Sequence, residues 1–407
     1  MLFAVRWRDR LRFLAPATSM RSGSQTTTQM LVFLLVATGF TVVYITQPVL
    51  PVIEEEFSVD ARTASLSVSM VIFGIALANL PFGMLADRFP IKPIVLVGGA
   101  VIAITSLACA LTRSFVLLIA ARFVQGLFMP SLTTCIATYL AQNLPAAQLN
   151  VVMGSYVAAT VAGGLSGRLL GGWIHPPLHW RYAFVSAALL LTLTTLAAYV
   201  WLPQETLKQK PSARQASFVE LLAQPGLLRM FAVGFGAFFV FSSTFNYLPF
   251  YLSKPPIGAP TEFITLMYLP YLIGIVMGPM SGRVSNRLGS GATMVLGSLI
   301  FAGAITATLI DSLAIIAVSL VGVCAGFFSL HAAAVGLLNR RLTSSRGRAN
   351  SLYVLCYYIG GGAGITACGH AYTNFGWHGA VALNVSVSLL PLAIGLFEIL
   401  TEGSPRK

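Results

Sequence analysis

The sequence predicts an all-α membrane protein of twelve transmembrane helices in two pseudo-symmetric bundles of six, with both termini cytoplasmic. Hydrophobic residues make up 56% of the 407 residues and charged residues 9%, which leaves too few polar side chains for a water-soluble surface. Twelve apolar segments of about 20 residues can be marked, the length of helix that crosses a hydrocarbon core of about 30 Å. The motif GMLADRFPIK, from Gly83 to Lys92, has a counterpart in GRVSNRLGSG, from Gly282 to Gly291, and each lies between two apolar segments.

We number the apolar segments as spans 1 to 12. They lie near 30–52, 64–86, 93–112, 115–142, 151–174, 182–203, 230–253, 263–283, 291–310, 313–338, 350–373 and 380–400. The predicted organisation is a cytoplasmic tail at 1–29, a first bundle at 30–203, a cytoplasmic linker at 204–229, a second bundle at 230–400 and a tail at 401–407. The linker is polar and basic, and we expect one short amphipathic helix in it on the membrane surface.

The distribution of basic residues predicts the orientation of the spans. With both termini inside, nineteen of the twenty-five lysines and arginines fall on the cytoplasmic side and four on the outer side. This asymmetry is the usual signal for the cytoplasmic side of a membrane protein. The same asymmetry explains the net charge of +13: the basic residues set the topology and contact anionic lipid, and binding of nucleic acid is not needed to explain the charge. The expected location is a bacterial inner membrane.

Span 1 ends in YITQPVLPVIEEEF, which places Tyr44 and Gln47 beside Pro48 and Pro51. Prolines kink a helix and free backbone carbonyls, which must then face protein or water. We predict that Tyr44 and Gln47 line a polar cavity. The alternative is that Tyr44 anchors the outer end of the helix at the interface.

Two arginines lie within the spans. Arg122 is in span 4, with Gln125 one turn further on, and Arg168 is in span 5 with no acid nearby in sequence. An arginine at membrane depth costs several kcal/mol unless it faces water, an acid or carbonyls, so it indicates a functional site. For Arg122 the alternative is a side chain that snorkels to the interface.

Glycines at regular spacing predict close helix packing in two spans. Those singled out are Gly163, Gly167 and Gly171 of span 5 and Gly274 and Gly278 of span 8. Small residues at four-residue spacing let helix backbones touch and slide in lipid, although static packing gives the same pattern.

The second half carries further polar candidates. We predict a substrate cavity that includes Asn246 and Tyr247 of span 7, His331 of span 10, and Tyr353 and Tyr357 of span 11. Histidine changes charge near physiological pH, so His331 is a candidate for proton transfer. Packing inside the bundle is the alternative for His331 and for each tyrosine.

Twelve spans in two similar halves, GMLADRFPIK after span 2, its echo after span 8 and RFVQG in span 4 resemble the major facilitator superfamily of secondary transporters. FNY, GFFSLHAAA and SLYVLCYYIGG in spans 7, 10 and 11 resemble its YnfM-type branch, which is associated with acriflavine sensitivity and efflux. The resemblance implies alternating access and a cavity lined by spans 1, 4, 7 and 10. The expected protein is a monomer that moves a small molecule, with protons as the coupling ion.

The resemblance also implies roles for particular positions. The gating motif corresponds to residues at the inner ends of spans 2 and 8, namely Gly83, Asp87, Arg88, Gly282 and Arg287. Asp87 would latch the cytoplasmic side against the start of span 11, where a carboxylate favours the positive end of the helix dipole. Arg122, Asp87 and His331 are the candidates for proton coupling. The span 5 motif GGLSGRLLGG is similar to one of antiporters, but Arg168 stands where that motif has proline.

The acids and cysteines limit the chemistry. None of the twelve acidic residues is predicted near the membrane midplane, so a cavity with Arg122, Arg168 and His331 disfavours organic cations and tolerates neutral or anionic solutes. No cofactor, metal site, nucleotide-binding loop or catalytic cluster is expected. The predicted function is proton-coupled export of a neutral or weakly acidic compound. The alternatives are a facilitator or importer of a sugar or organic acid, and a transporter-like sensor or scaffold.

Overall fold

A computed structural model describes residues 22–143, 146–202, 216–342 and 345–402. Residues 1–21 of the predicted tail 1–29, residues 403–407 of the predicted tail 401–407 and the segment 203–215 lie outside the described residues, whereas residues 22–29 and 401–402 are helical. The described chain is helical throughout, with no β-strand in these ranges. Spans 1 to 6 are formed by Ser22–Tyr44, Gln47–Val49 and Leu50–Glu56; Ala61–Ala64 and Leu66–Arg88; Ile91–Leu111; Phe115–Leu132 and Thr134–Asn143; Ala146–Ile174; and Trp180–Trp201. Spans 7 to 12 are formed by Pro225–Ser253; Thr261–Leu266, Leu269–Leu272 and Ile273–Leu288; Ser290–Ala307; Leu313–Arg340; and, for the last two together, Arg346–Glu402.

Spans 11 and 12 join at a glycine. Helical geometry continues from Arg346 to Glu402 except at Gly376, where φ is 61° and ψ is −153°. This backbone conformation is open in practice to glycine alone. The chain turns there, so the helix supplies two spans and the predicted number of twelve is confirmed.

Helix ends differ from the predicted ends by a few residues. Span 7 begins at Pro225, inside the predicted linker, because proline is well suited to the first turn of a helix. The short helix Phe218–Leu222 precedes it and begins with a capping box between Ser217 and Glu220.

The two bundles repeat one pattern of helix pairs. In the first, span 1 packs on span 5, span 2 on span 4 and span 3 on span 6; in the second, span 7 packs on span 11, span 8 on span 10 and span 9 on span 12. The bundles meet along two seams, spans 2 and 11 and spans 5 and 8. The sequence repeat is therefore a structural repeat.

The span 5 glycines bring two backbones into contact. A Cβ at Gly163, Gly167 or Gly171 would lie 2.2, 2.1 or 1.9 Å from a carbonyl oxygen of span 1. Larger side chains would force the helices apart, so spans 1 and 5 form one rigid unit. Gly274 packs against a phenylalanine ring, whereas nothing lies within 4 Å of a Cβ at Gly278, which therefore makes no close helix contact in this conformation.

Candidate substrate site

Arg122 is fully buried in the outer third of span 4. Its Nη1 and Nη2 donate to the carbonyls of Val42 (2.7 Å) and Val43 (2.6 Å). Its Nε donates to the Ser67 carbonyl (2.6 Å), and Nη1 also donates to Gln125 Oε1 (2.7 Å). Val42 and Val43 are in the last turn of the helix that ends at Tyr44, where carbonyls lack helical partners. Arg122 thus caps the broken helix of span 1 from inside the bundle and does not snorkel.

Arg168 is the second buried cation, with 1% of its surface exposed. Its Nε donates to Gln47 Oε1 (2.8 Å), which is on span 1, and its Nη1 donates to the Gly164 carbonyl (2.8 Å). Gln47 is itself fully buried, and its Nε2 has no hydrogen-bond partner in the described structure. Gln47, which the sequence predicts in the cavity lining, therefore orients the side chain of Arg168.

Three tyrosine rings enclose the guanidinium of Arg168. Its Cζ lies 4.1 Å from the ring centroid of Tyr44, 4.8 Å from that of Tyr271 and 5.3 Å from that of Tyr268. The faces of aromatic rings attract cations. Tyr44 belongs to the first bundle and the other two tyrosines to the second, so this arginine cage joins the bundles.

A central cavity lies next to the arginine cage. Five side chains are deep within the protein yet remain partly accessible, which identifies them as lining internal space. They come from spans 5, 8, 10 and 11 and are Tyr156, Tyr271, His331, Tyr357 and Tyr358. The sequence predicts that spans 1, 4, 7 and 10 line the cavity. Of these four spans, span 10 contributes one of the five residues.

Stacked rings form one side of the cavity, which we call the aromatic wall: Phe238, Phe241, Phe327, His331 and Tyr357. Tyr357 stacks on Phe238 and Phe327 stacks on Phe241, each with centroids 3.9 Å apart. His331 lies 5.3 Å from Tyr357 and 6.1 Å from Phe327. Phe238, Phe241 and Phe327 are buried behind the wall, so the accessible surface is that of the His331 and Tyr357 rings.

His331 and Tyr353 form a pair. The Tyr353 hydroxyl lies 3.0 Å from His331 Nδ1, and the tyrosine is buried while the histidine stays partly accessible. Tyr353 therefore supports His331 from behind the wall instead of lining the cavity.

Two predicted cavity residues lie elsewhere. Asn246 is fully buried between the bundles, where its Nδ2 donates to Ser65 Oγ (2.7 Å). Tyr247 is buried inside the second bundle, and its hydroxyl donates to the Ile365 carbonyl (3.0 Å). Span 7 turns Asn246 towards span 2 and Tyr247 towards span 11, because adjacent residues of a helix point about 100° apart.

The outer ends of the bundles are in contact. The hydrogen bond from Asn246 to Ser65 joins spans 7 and 2. An ion pair joins spans 7 and 1, in which Lys254 Nζ lies 3.4 Å from Glu54 Oε1. A Cβ at Gly172 of span 5 would lie 1.8 Å from the Thr265 hydroxyl of span 8. We call these contacts the outer closure.

Asp60 lies beside the outer closure and begins span 2. Its side chain accepts a hydrogen bond from the backbone of Thr63 (2.8 Å), as an N-cap does. Hydrogen bonds from Thr63 hold the pKa of this exposed carboxylate below its ordinary value of 3.8.

The inner ends are less closely joined. Asn79 Nδ2 donates to the Ser351 carbonyl (3.3 Å), which connects spans 2 and 11 about one turn before the gating motif begins at Gly83. Below this contact Asp87 is exposed, and within the described ranges it has neither a hydrogen bond nor an ion pair. The latch that the resemblance implies for Asp87 is not engaged in this conformation.

The other gating positions are Gly83, Arg88, Gly282 and Arg287, of which the last three are exposed.

The sequence analysis missed one buried carboxylate that is paired with two arginines, and it missed two tyrosines of the arginine cage. Glu398, at the inner end of span 12, is fully buried and bonded to Arg229 and Arg341. Tyr268 and Tyr271 flank Pro270 in span 8, and tyrosines beside a proline inside an apolar span were the available signal. No group of histidine, cysteine or acidic residues that could hold a metal ion occurs among the described residues.

These features define a multi-pass membrane protein with two six-helix bundles around a central cavity, which is the architecture of a transporter. The family model of the major facilitator superfamily matches residues 32–334 and 256–407, and the chain belongs to that superfamily.

Relatives by sequence are transporters by name. The chain is 28% identical over 360 residues to the inner membrane transport protein YnfM of Escherichia coli, covering 88% of this chain and 86% of YnfM. It is 26% identical over 357 residues to the uncharacterized MFS-type transporter YybF of Bacillus subtilis, covering 87% and 88%.

The fold matches solved structures of a bacterial homologue of the human lysosomal transporter Spinster. The inward-facing, occupied form superposes with a TM-score of 0.73 at 16% identity, covering 94% of this chain and 97% of the other. The inward-facing, unoccupied form gives a TM-score of 0.71, with coverage of 93% and 96%.

Proposed function

We propose that the chain is a secondary active transporter of a bacterial inner membrane that exports a small neutral or weakly acidic compound by alternating access, driven by the proton gradient. One observation carries the proposal: a cavity lined from both bundles is closed on the outer side, while the gating motif on the inner side is disengaged. A transporter that alternates must have such a state, open to one side only.

The charges around the cavity support a neutral or acidic substrate. Arg168 adjoins the cavity, and no carboxylate pairs with it within the described ranges. A positive charge without a counter-ion repels cations at close range.

Proton coupling has few candidate groups. Glu398 is engaged by two arginines, Arg229 and Arg341, at the inner end of span 12 and is not among the candidates. Asp87 is exposed at the inner gate and His331 is in the cavity wall, so these two are the proposed proton carriers. Arg122 is committed to backbone carbonyls, and any influence on coupling would be through the shape of span 1.

A facilitator or importer is the second candidate, and the same scarcity of free acids favours it. Without a carboxylate at the cavity, substrate could move down its own gradient with no proton. The stoichiometry of protons to substrate separates the two functions.

The test uses purified protein in liposomes with a pH-sensitive dye inside and a panel of anionic, neutral and cationic compounds outside. Proton movement that depends on an anionic or neutral compound is the expected result. Substrate flux without proton movement would replace the exporter with the facilitator, and flux triggered by lipophilic cations alone would overturn the proposed substrate charge.

A further inference from the structure

The arginine cage is an arrangement that could have bound an organic cation. Three tyrosine faces converge on one point at 4.1, 4.8 and 5.3 Å, which is within the range of cation–π attraction. The guanidinium of Arg168 occupies that point. A substrate cation therefore cannot contact these ring faces and is repelled by the positive charge. The cage therefore acts against cationic substrates.

The same arginine is equipped to receive an anion. A guanidinium has five N–H donors; those of Arg168 donate to Gln47 and to the Gly164 carbonyl, and the Tyr271 hydroxyl interacts with a third. Its charge is balanced by amide and carbonyl dipoles and ring faces, while no acid pairs with it in the described ranges. A carboxylate would add the charge-assisted hydrogen bonds that this arginine lacks.

The arginine cage borders the cavity. Tyr271 belongs both to the cage and to the cavity lining, so one ring is shared between them. Next to the guanidinium is Gly164, where a Cβ would lie 3.3 Å from Arg168 Nη1. The absence of a side chain at this position keeps span 5 from adding atoms beside the guanidinium, which is buried in this conformation, so a carboxylate reaches it when the Tyr271 ring moves aside.

The aromatic wall supplies the other half of a binding site. Tyr357 is held flat by its stack on Phe238, while its own surface remains partly accessible. A planar ring can stack on such a face, and an aromatic pair tightens binding about two- to tenfold beyond burial of its area. A saturated ring of the same size gains burial alone.

We infer that the cavity takes an aromatic carboxylate, whose ring stacks on the wall at Tyr357 and whose carboxylate pairs with Arg168. The inference rests on the proposed transport function and adds the substrate class. Arg168 is the residue that selects charge, and Tyr357 is the residue that selects a flat ring.

The test varies charge and planarity one at a time. Probes are benzoate and 2-naphthoate, their amides benzamide and 2-naphthamide, benzylamine, and cyclohexanecarboxylate. Binding to the purified full-length protein is measured by isothermal titration calorimetry. Flux is measured in proteoliposomes after subtraction of the leak in protein-free liposomes. The aromatic carboxylates should bind at least tenfold tighter than the amides and at least twofold tighter than cyclohexanecarboxylate, and benzylamine should not bind.

Variants assign the two halves of the site. Arg168→Gln should lower the affinity for the aromatic carboxylates at least tenfold and leave that for the amides unchanged. Tyr357→Leu should weaken carboxylates and amides alike, but not cyclohexanecarboxylate. Arg113→Gln removes the same charge from an exposed position on the outer surface and serves as the matched control. Arg168→Lys keeps the charge if the glutamine variant does not fold, and it should bind carboxylates better than amides.

The outcomes separate this inference from the proposed function. Tighter binding of benzylamine, carboxylate affinity that ignores both Arg168 variants, or no binding of either aromatic carboxylate would overturn the inference. Transport of a different class of compound in that case would leave the transport function standing. Aromatic carboxylates that bind through Arg168 but are not moved under any gradient would support the site and overturn the transport function.

Discussion

The outer and inner halves of the molecule differ in how the bundles are joined. On the outer side the bundles meet through Asn246 and Ser65, Lys254 and Glu54, and the arginine cage. On the inner side the contact at Asn79 is followed by an exposed Asp87 without a partner in the described chain. The molecule is closed outside and loosely joined inside.

The strength of these contacts also differs with their position. Between bundles they are single hydrogen bonds of about 1 kcal/mol, one exposed ion pair of about 0–1 kcal/mol and the contacts of Arg168 with two tyrosine rings. Within a bundle, Arg122 alone makes four hydrogen bonds, all buried. Strong contacts inside each bundle and weak contacts between them are what two rigid bodies need in order to rock.

The largest effect is expected from Arg122→Ala, which removes the side chain that caps the broken helix of span 1 in the outer half of the molecule. It would leave the buried Val42 and Val43 carbonyls without their arginine donor, at about 1–3 kcal/mol each, so much of the protein should fail to fold. Fluorescence-detected size-exclusion chromatography and thermal melting measure this. Arg113→Gln is the control, and a monodisperse Arg122→Ala protein with an unchanged melting temperature would contradict the capping role.

The inner half is tested by Asp87→Asn. It should abolish transport, because an uncharged side chain cannot engage the dipole of span 11 when the inner side closes, while folding is unaffected since Asp87 is exposed here. Transport in proteoliposomes and the melting temperature are measured side by side. Near-normal transport would remove the latch.

The cavity between the halves is tested by His331→Ala. If His331 carries the proton, substrate flux should persist but lose its dependence on the pH gradient. Tyr353→Phe removes the hydroxyl next to Nδ1 without removing the imidazole and is the matched control. Unchanged coupling in His331→Ala would assign the histidine to packing.

Cysteine labelling compares the two sides directly, on a background without the five native cysteines. Gly282→Cys is exposed on the inner side, and Asn246→Cys is buried in the outer closure. A membrane-impermeant maleimide should label the first in inverted vesicles at least tenfold faster than it labels the second in right-side-out vesicles. Addition of substrate should narrow the difference, and equal rates throughout would contradict a closed outer side.

The smallest effect is expected from Asp60→Ala at the outer end of span 2. Loss of an N-cap costs about 1 kcal/mol, which lowers the melting temperature slightly at neutral pH. Because the pKa of Asp60 is lowered in the folded state, its contribution is complete above its ordinary pKa of 3.8 and is lost as the pH falls further. Melting curves of wild type and variant should converge below that pH, and a constant difference would contradict the cap.

Local patterns carried the fold prediction. Span number followed from the length of apolar segments, and the close pairing of spans 1 and 5 follows from the glycines at 163, 167 and 171. Asn246 and Tyr247 were both predicted in the cavity, yet neither lines it, because the rotation of span 7 about its axis depends on the helices around it.

The sequence by itself determined the class of the protein, the number and orientation of its spans and the place of the gating motif, because each depends on residues that are neighbours along the chain. The tertiary structure decided which side of the cavity is closed and what surrounds each buried arginine. Arg168 and Gln47 are 121 residues apart, and Arg122 and Val42 are 80 apart. Such partners are chosen by the packing of whole helices, which fixes where a side chain points once both bundles have formed.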